Sequence, residues 1–154
     1  MPLNSEIIIS DTSCLILLTN IDELDLLKKM GKEVFITPEI NQEFGKTLPD
    51  WIKIKDPIDK HYQKLLEREI DKGEASAIIL ALETPGSILI IDDLKGRKIA
   101  SEMDLKYSGS FGLLLRAKQE GILASIKPII ERIRKTNFRY SEKLLDSILE
   151  QAGE

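Results

Sequence analysis

Two short stretches decide the fold: residues 6–11 read EIIISD, and residues 87–93 read SILIIDD. Each is an aliphatic run that ends on aspartate. Since neither run alternates apolar with polar residues, each predicts a strand covered on both faces, which is typical of a parallel sheet flanked by helices. The carboxyl ends of parallel strands meet at one edge of the sheet, where ligands bind. We therefore expect Asp11 and Asp92 to face one crevice.

Outward from these two strands, β-branched runs alternate with helical patterns, which predicts an α/β fold with a parallel sheet. Strands are expected at Glu6–Ser10, Val34–Ile36, Ser87–Ile91 and Tyr107–Ser108. Helices are expected from near Cys14, over Leu24–Met30, from Pro38, over His61–Ile70, from Glu74, over Lys95–Glu102, over Ser110–Gln119, from about Lys127 and from Ser141, with a loop over residues 48–58. No repeat or long linker interrupts the alternation, so residues 1–154 are expected to form a single domain.

The composition is that of a soluble globular protein, with 42% hydrophobic and 31% charged residues. No apolar run approaches the roughly 20 residues of a membrane-spanning helix. The N-terminus lacks the pattern of a signal peptide, and the single cysteine, Cys14, cannot form an internal disulfide. We therefore expect a cytoplasmic protein with no membrane partner.

The net charge of −4 argues against binding nucleic acid through the overall charge of the molecule. Basic residues are nevertheless concentrated late in the chain, where residues 118–143 hold seven lysines and arginines against three glutamates. This region is either a solvated helix face laced with salt bridges or a surface for a phosphate ligand.

Further carboxylates are expected at the crevice that Asp11 and Asp92 face. Glu43 lies about two turns into the helix after the second strand, and Glu74 opens the helix before the strand that ends on Asp92 and Asp93. Each of these acids taken alone has a plain structural explanation, as a surface glutamate or a helix cap. Together they would repel one another strongly unless they bound a hard divalent cation, and oxygen ligands favour Mg²⁺ or Mn²⁺.

Six short motifs follow one another along the chain. They are Asp11-Thr12-Ser13, Pro38 to Glu43, Gly73-Glu74-Ala75-Ser76-Ala77, Ile91-Asp92-Asp93 with Arg97, Ser108-Gly109-Ser110-Phe111-Gly112, and Asn137-Phe138-Arg139-Tyr140-Ser141. This order, from about Ile7 to the C-terminus, resembles that of the PIN-domain nucleases, and it looks closest to the prokaryotic branch related to the VapC-type toxins.

The resemblance implies a three-layer α/β/α fold with a central, mostly parallel sheet and an acidic site for Mg²⁺ or Mn²⁺. It also implies an endoribonuclease that hydrolyses RNA phosphodiester bonds through metal-activated water, leaving a 5′-phosphate and a 3′-hydroxyl. Such enzymes are commonly the toxin of a toxin–antitoxin pair. The implied partners are RNA, an antitoxin protein and a second copy of the chain in a homodimer.

The resemblance also assigns roles to individual residues. The four catalytic, metal-binding acids are Asp11, Glu43, Glu74 and Asp92, with Asp93 as a further metal ligand. The sequence leaves open which of the two adjacent aspartates points inward. The residues implied in substrate binding or water positioning are Thr12, Ser13, Arg97 and Ser110.

Two of these assignments carry qualifications. Ser110 stands where the family usually has threonine, and it keeps the hydroxyl. Arg97 either contacts a phosphate or pairs with a neighbouring carboxylate, and the sequence favours neither.

Two other classes of protein compete with the nuclease. A receiver-type signalling domain is also α/β, but it needs an acidic pair after the first strand, whereas this chain has a single acid there and its pair late. A catalytically inactive PIN-like module that binds RNA or protein is the second alternative, and the presence of all four acids argues against it. The only histidine, His61, has no partner for a nucleophilic pair and is expected on a helix surface.

Overall fold

The structure is a computed structural model that describes residues 6–154. Its centre is a sheet of five parallel strands in the order β3-β2-β1-β4-β5. The strands are β1 (Ile7–Ser10), β2 (Glu33–Ile36), β3 (Ile52–Ile54), β4 (Ser87–Ile90) and β5 (Tyr107–Ser108). Helices flank this sheet in a three-layer α/β/α arrangement, which confirms the expected fold class.

Nine helices occur within residues 6–154. They are α1 (Thr12–Asn20), α2 (Asp25–Met30), α3 (Pro38–Phe44), α4 (Lys60–Leu66), α5 (Lys72–Leu82), α6 (Leu94–Glu102), α7 (Ser110–Gln119), α8 (Lys127–Arg134) and α9 (Glu142–Gln151). None of them has both the length and the apolar character needed to span a membrane.

The strand order reverses between β1 and β4. The chain builds outward from β1 through β2 to β3, and then returns to place β4 on the other side of β1. Ser10 pairs with Ile90, so the two strands end level with each other. Open α/β sheets bind their ligands in the crevice beyond such a reversal. The topology therefore places Asp11 and Asp92 on either side of it.

The two central strands are buried on both faces, as their unbroken apolar runs predict. Ile8, Ile9, Leu89 and Ile90 have no exposed surface. Burying a side chain of this size stabilises a fold by about 1.5–3 kcal/mol. Helix α5 packs against both β1 and β4. The core therefore fixes the strand ends and the start of α5, which are the parts of the chain that carry acids.

Side-chain caps set where the helices begin. Asp11, Asp71 and Asp93 accept hydrogen bonds from the backbone of the first turns of α1, α5 and α6. Thr37 does the same for α3, with Pro38 in the first turn. Within residues 6–154 six helices have side-chain caps, and four of the caps are aspartates, with Asp59 capping α4. Capping itself therefore brings negative charge to the start of these helices.

The structure corrects several expected boundaries. Residues 52–54, expected within a loop, form the edge strand β3, because Ile52 is buried and pairs with Val34 of β2. Helix α4 ends at Leu66 instead of Ile70. Helix α5 begins at Lys72 rather than Glu74, since Asp71 caps it and Gly73 lies inside its first turn. The amphipathic pattern predicts helix up to Ile70, but residues 67–69 form turns and Ile70 a bend.

Candidate functional site

A cleft of about 550 Å³ opens at the carboxyl ends of β1 and β4. Its lining comes from five parts of the chain that are distant in sequence. The lining residues are Asp11, Thr12, Ser13, Ile16, Leu17, Asn20, Glu43, Asp71, Glu74, Asp92, Asp93, Thr136, Asn137, Phe138 and Arg139. All five acids expected at the site are among them.

Asp11 is the most deeply placed of these acids, with only 3% of its surface exposed. Its Oδ1 accepts a hydrogen bond from the Cys14 amide, and its Oδ2 accepts one from the Asp92 amide, both at 2.8 Å. Burial, and secondly the negative charge of Asp92, raise the pKa of Asp11 to about 7. The carboxylate is thus rigidly held, and the nearby positive charge of Arg97 only partly offsets these two effects.

Asp92 is held by the first residue of α7. Its Oδ1 accepts a hydrogen bond from the Ser110 amide at 2.7 Å, and its Oδ2 accepts one from the Ser110 hydroxyl at 2.5 Å. Asp93, in contrast, is exposed and accepts from the Gly96 amide as the cap of α6. Both aspartates line the cleft, but the Asp92 carboxylate is held by two hydrogen bonds from Ser110, while the Asp93 carboxylate caps α6.

Arg97 packs behind Asp92 and does not line the cleft. Its Nε donates to the carbonyl of Ile91 at 2.9 Å, and its Nη2 lies 3.9 Å from Oδ1 of Asp92. The guanidinium lies against Gly109, where a Cβ would come within 1.5 Å of Nη2. Of the two roles left open for Arg97, the structure shows pairing with a carboxylate.

Glu43 reaches the cleft from the last turn of α3. Its Oε1 accepts a hydrogen bond from the Thr12 hydroxyl at 3.1 Å. Burial raises the pKa of Glu43, although much of the side chain is exposed. The same oxygen lies where a Cβ on Gly73 would be, only 1.8 Å away. The absence of a side chain at Gly73 is therefore what leaves room for the Glu43 carboxylate.

Glu74 and Asp71 form a second acidic group at the start of α5. Burial raises the pKa of Glu74 to about 8, with Asp71 as the next cause. Asp71 accepts a hydrogen bond from the Glu74 amide at 2.9 Å and itself lines the cleft. Sequence reasoning missed Asp71. The available signal was an aspartate three residues before Glu74, at the position of a helix cap.

The hydroxyl residues take two different positions. Thr12 and Ser13 line the cleft from the first turn of α1, beside Asp11. Ser110 is fully buried and lies behind Asp92, so it acts on the cleft through that carboxylate. The three residues are thus brought to the site, but only the first two face its interior.

One part of the cleft wall was not expected from sequence. It consists of Thr136–Arg139, which connects α8 to α9, and of the side chains of Ile16, Leu17 and Asn20 on α1. Ile16 is 43% exposed there. The cleft lining therefore combines acidic side chains with apolar and neutral polar ones.

Charge in the cleft is strongly unbalanced. Among residues 6–154, six carboxylates line it, and Arg139 is the one basic residue that does so. Burial, and secondly repulsion between neighbouring carboxylates, raise the pKa values of Asp11 and Glu74, and burial raises that of Glu43. An oxygen-only donor set of this kind suits a hard divalent cation. Within residues 6–154, however, no three acidic, histidine or cysteine side chains already stand in a metal-binding cluster.

Comparison with known proteins gives the family. No curated protein matches the chain. The family model DUF3368, described as a PIN domain, matches residues 7–154. PIN domains are generally nucleases that bind nucleic acid and use divalent metals. The five-stranded parallel sheet flanked by helices is consistent with a PIN-like fold, and the chain belongs to the PIN-domain family.

Proposed function

We propose that this PIN domain, taken as one unit over residues 1–154, is a divalent-metal-dependent endoribonuclease. The observation that carries the proposal is the convergence of Asp11, Glu43, Glu74 and Asp92 on one cleft at the reversal of the strand order. Burial and mutual repulsion make these acids costly to the fold. A functional demand for a cation accounts for that cost better than any structural role does.

The metal ligands in this proposal are Asp11, Asp92, Glu43 and Glu74, with Asp93 at the edge of the site. Asp11 and Asp92 supply rigid oxygens, because backbone amides and Ser110 fix their orientation. Glu43 and Glu74 extend from helices and have the longer, freer side chains. Mg²⁺ commonly binds through one or two carboxylates and keeps several waters, so a cage of three touching side chains is not required. The donor set fits Mg²⁺ and Mn²⁺ equally.

When bound, the cation would lower the pKa of a water, neutralise the scissile phosphate and stabilise the leaving oxygen. The residues of the chain do the positioning. The hydroxyls of Thr12 and Ser13, at the start of α1, orient the attacking water. Water adds to phosphorus as the P–O3′ bond breaks, and the released O3′ takes up a proton. The products carry a 5′-phosphate and a 3′-hydroxyl.

We further infer a cellular role as the toxin of a toxin–antitoxin pair, acting as a homodimer in the cytoplasm. What supports this role is the resemblance of the ordered motifs, from Asp11 to Ser141, to the VapC-related branch. Co-expression with the product of a short adjacent reading frame tests it. A stable complex that suppresses cleavage supports the role, and a frame whose product neither binds nor suppresses cleavage contradicts it.

Calorimetric titration with Mg²⁺ and with Mn²⁺ tests the metal site directly. We expect binding by the parent chain and a large loss of affinity in Asp92→Asn. The matched control is Asp104→Asn, since Asp104 is an exposed aspartate outside the cleft. Equal affinity in Asp92→Asn and Asp104→Asn would overturn the ligand assignment. The absence of metal binding by the parent would favour the inactive, RNA- or protein-binding alternative.

A further inference from the structure

The segment Thr136–Arg139 forms part of the wall of the cleft that the acids also line. It is held in place at two points. The Thr136 hydroxyl donates to the carbonyl of Ile133 at 2.7 Å and accepts from the Phe138 amide at 3.2 Å. Phe138 also packs edge-to-face on Phe111, with ring centroids 5.7 Å apart and an interplanar angle of 79°. The segment is therefore anchored to the core next to Ser110, the residue that orients Asp92.

Arg139 has a different environment from the other arginines near the core. Arg97, Arg132 and Arg134 are each engaged in hydrogen bonds and ion pairs. Arg139 is exposed, lines the cleft and makes no hydrogen bond or ion pair within residues 6–154. This guanidinium shares the cleft with six carboxylates and pairs with none of them, so its donors are available for an anionic ligand rather than for the fold.

The adjoining face of α1 extends the cleft away from the acids. Ser13, Ile16, Leu17 and Asn20 follow one another at the spacing of a single helix face, and all four line the cleft. The distance along the helix axis from Ser13 to Asn20 is about 10 Å, at roughly 1.5 Å per residue. This face of α1 offers an exposed apolar surface at Ile16 and the side-chain amide of Asn20. Asn137, in the segment Thr136–Arg139, adds a second amide to the cleft.

We propose that Thr136–Arg139 and this face of α1 form a substrate subsite for single-stranded RNA, beside the metal site. Arg139 binds a phosphate next to the scissile one, and Ile16 supports the attached base. The inference rests on the proposed function, which it deepens by naming the substrate's binding surface. Arginine suits this role because its planar fork pairs with two phosphate oxygens at once. Single-stranded RNA suits it because its unstacked bases are free to lie on a protein surface.

Equilibrium binding of a short fluorescent RNA tests the subsite apart from catalysis. Anisotropy is measured in an Asp11→Asn background, which removes cleavage, with and without Arg139→Ala. Arg68→Ala is the matched control, because Arg68 is exposed, carries the same charge and lies outside the cleft. We expect Arg139→Ala to weaken binding about tenfold and to reduce the salt slope by about 0.7, the value for one phosphate on a single strand. Arg139→Lys should restore part of the affinity, since it keeps the charge without the fork.

Cleavage kinetics in the otherwise unchanged chain supply the second measurement. Arg139→Ala should raise KM about tenfold and leave kcat within about twofold, because a flanking contact serves the ground and transition states alike. Equal effects of Arg139→Ala and Arg68→Ala on binding, or a fall in kcat without a rise in KM, would overturn the subsite. If the parent cleaves no RNA in any metal but binding still depends on Arg139, the subsite stands and the proposed function fails.

Discussion

The amide of Asp92 donates a hydrogen bond to Oδ2 of Asp11 at 2.8 Å, joining the carboxyl ends of β1 and β4 through a side chain. The other oxygen of the same carboxylate accepts from Cys14 and caps α1. Asp11 is therefore both a structural tie and the most buried acid of the cleft. These two roles oppose each other. The two hydrogen bonds are strongest when the carboxylate is charged, whereas burial disfavours that charge.

Asp11→Asn separates the two roles. The amide keeps one acceptor, so one of the two backbone hydrogen bonds is lost, while the buried charge is removed. These effects oppose each other, and we expect the melting temperature in EDTA at pH 7 to change by only a few degrees. Metal binding should be lost. Thermal unfolding with and without Mn²⁺ measures both the stability and the metal binding. If Mn²⁺ raised the melting temperature of the variant as much as that of the parent, the role of Asp11 would be contradicted.

The stability of the metal-free protein should fall as pH rises from about 4 to about 8. The folded-state pKa values of Asp11 and Glu74, about 7 and about 8, lie above the ordinary values of 3.8 and 4.5. Between those limits the folded state binds more protons than the unfolded state, so stability decreases with pH. Urea unfolding in EDTA measures the free energy of unfolding across this pH range.

Metal binding should show the reverse dependence. Because the cation displaces protons from these carboxylates, affinity for Mg²⁺ or Mn²⁺ should increase over the same pH range, with proton release on binding. Calorimetry in two buffers of different ionisation enthalpy measures the protons released. An affinity independent of pH between 5.5 and 8 would show that Asp11 and Glu74 are not displaced by the metal.

Gly73→Ala should weaken metal binding without harming the fold. A Cβ at this position would occupy the place of Oε1 of Glu43, which lies at the end of a flexible side chain and can move. Alanine also favours the helix by up to about 1 kcal/mol. We expect an unchanged or higher melting temperature and a loss of affinity of roughly 10- to 100-fold, as for other residues that orient metal ligands.

The control for this prediction is a double-mutant cycle. In a Glu43→Ala background, Gly73→Ala should cost no further affinity, since the displaced carboxylate is already gone. Additive losses would mean that Gly73 acts on the cleft by another route.

Ser110→Ala should reduce metal affinity through Asp92. The variant keeps the amide hydrogen bond to Oδ1 and loses the hydroxyl bond to Oδ2, so the carboxylate can rotate. We expect a loss of affinity of about tenfold. Ser108→Ala is the control, because the Ser108 hydroxyl donates to the Gly109 carbonyl and not to an acid. Equal metal affinity in the two variants would remove Ser110 from the site.

Glu154→Gln should lower stability at neutral pH. The Glu154 carboxylate accepts hydrogen bonds from the amides of Ile126 and Lys127, at the start of α8, and pairs with Lys118. The Ile126 hydrogen bond is the main reason why its pKa is lowered to about 2. Its contribution is present above the ordinary pKa of 4.5 and is lost as pH falls toward 2. The difference in melting temperature between parent and variant should shrink over that range, and a constant difference would contradict the account.

The acids at strand ends could be placed from sequence because β1 and β4 are unbroken apolar runs. An aspartate that follows such a run has to lie at the edge of a parallel sheet. Glu43 and Glu74 could be assigned to the site only through the resemblance to a family, since a glutamate on a helix is usually interpreted as a surface residue. Asp71 was missed because the sequence predicts the start of the helix at Glu74, whereas Asp71 caps a helix that begins at Lys72.

Features that depend on distant contacts could not be read from sequence. The short strand β3 shows only one buried residue, Ile52, and becomes a strand by pairing with β2. The position of the wall segment Thr136–Arg139 depends on the packing of Phe138 against Phe111, and no local sequence pattern predicts that contact. The basic region at residues 118–143 illustrates the same limit. Arg132 and Arg134 are used within the fold, and Arg139 alone among its basic residues lines the cleft.

Cleavage of a 5′-labelled single-stranded RNA by the purified protein tests the central claim most directly. Parent, Asp11→Asn and Asp104→Asn are compared in Mn²⁺, in Mg²⁺ and in EDTA. The account predicts products with a 3′-hydroxyl and a 5′-phosphate from the parent and from Asp104→Asn, none from Asp11→Asn, and none from any protein in EDTA. Cleavage that persists in EDTA, or that Asp11→Asn carries out as fast as the parent, would contradict it.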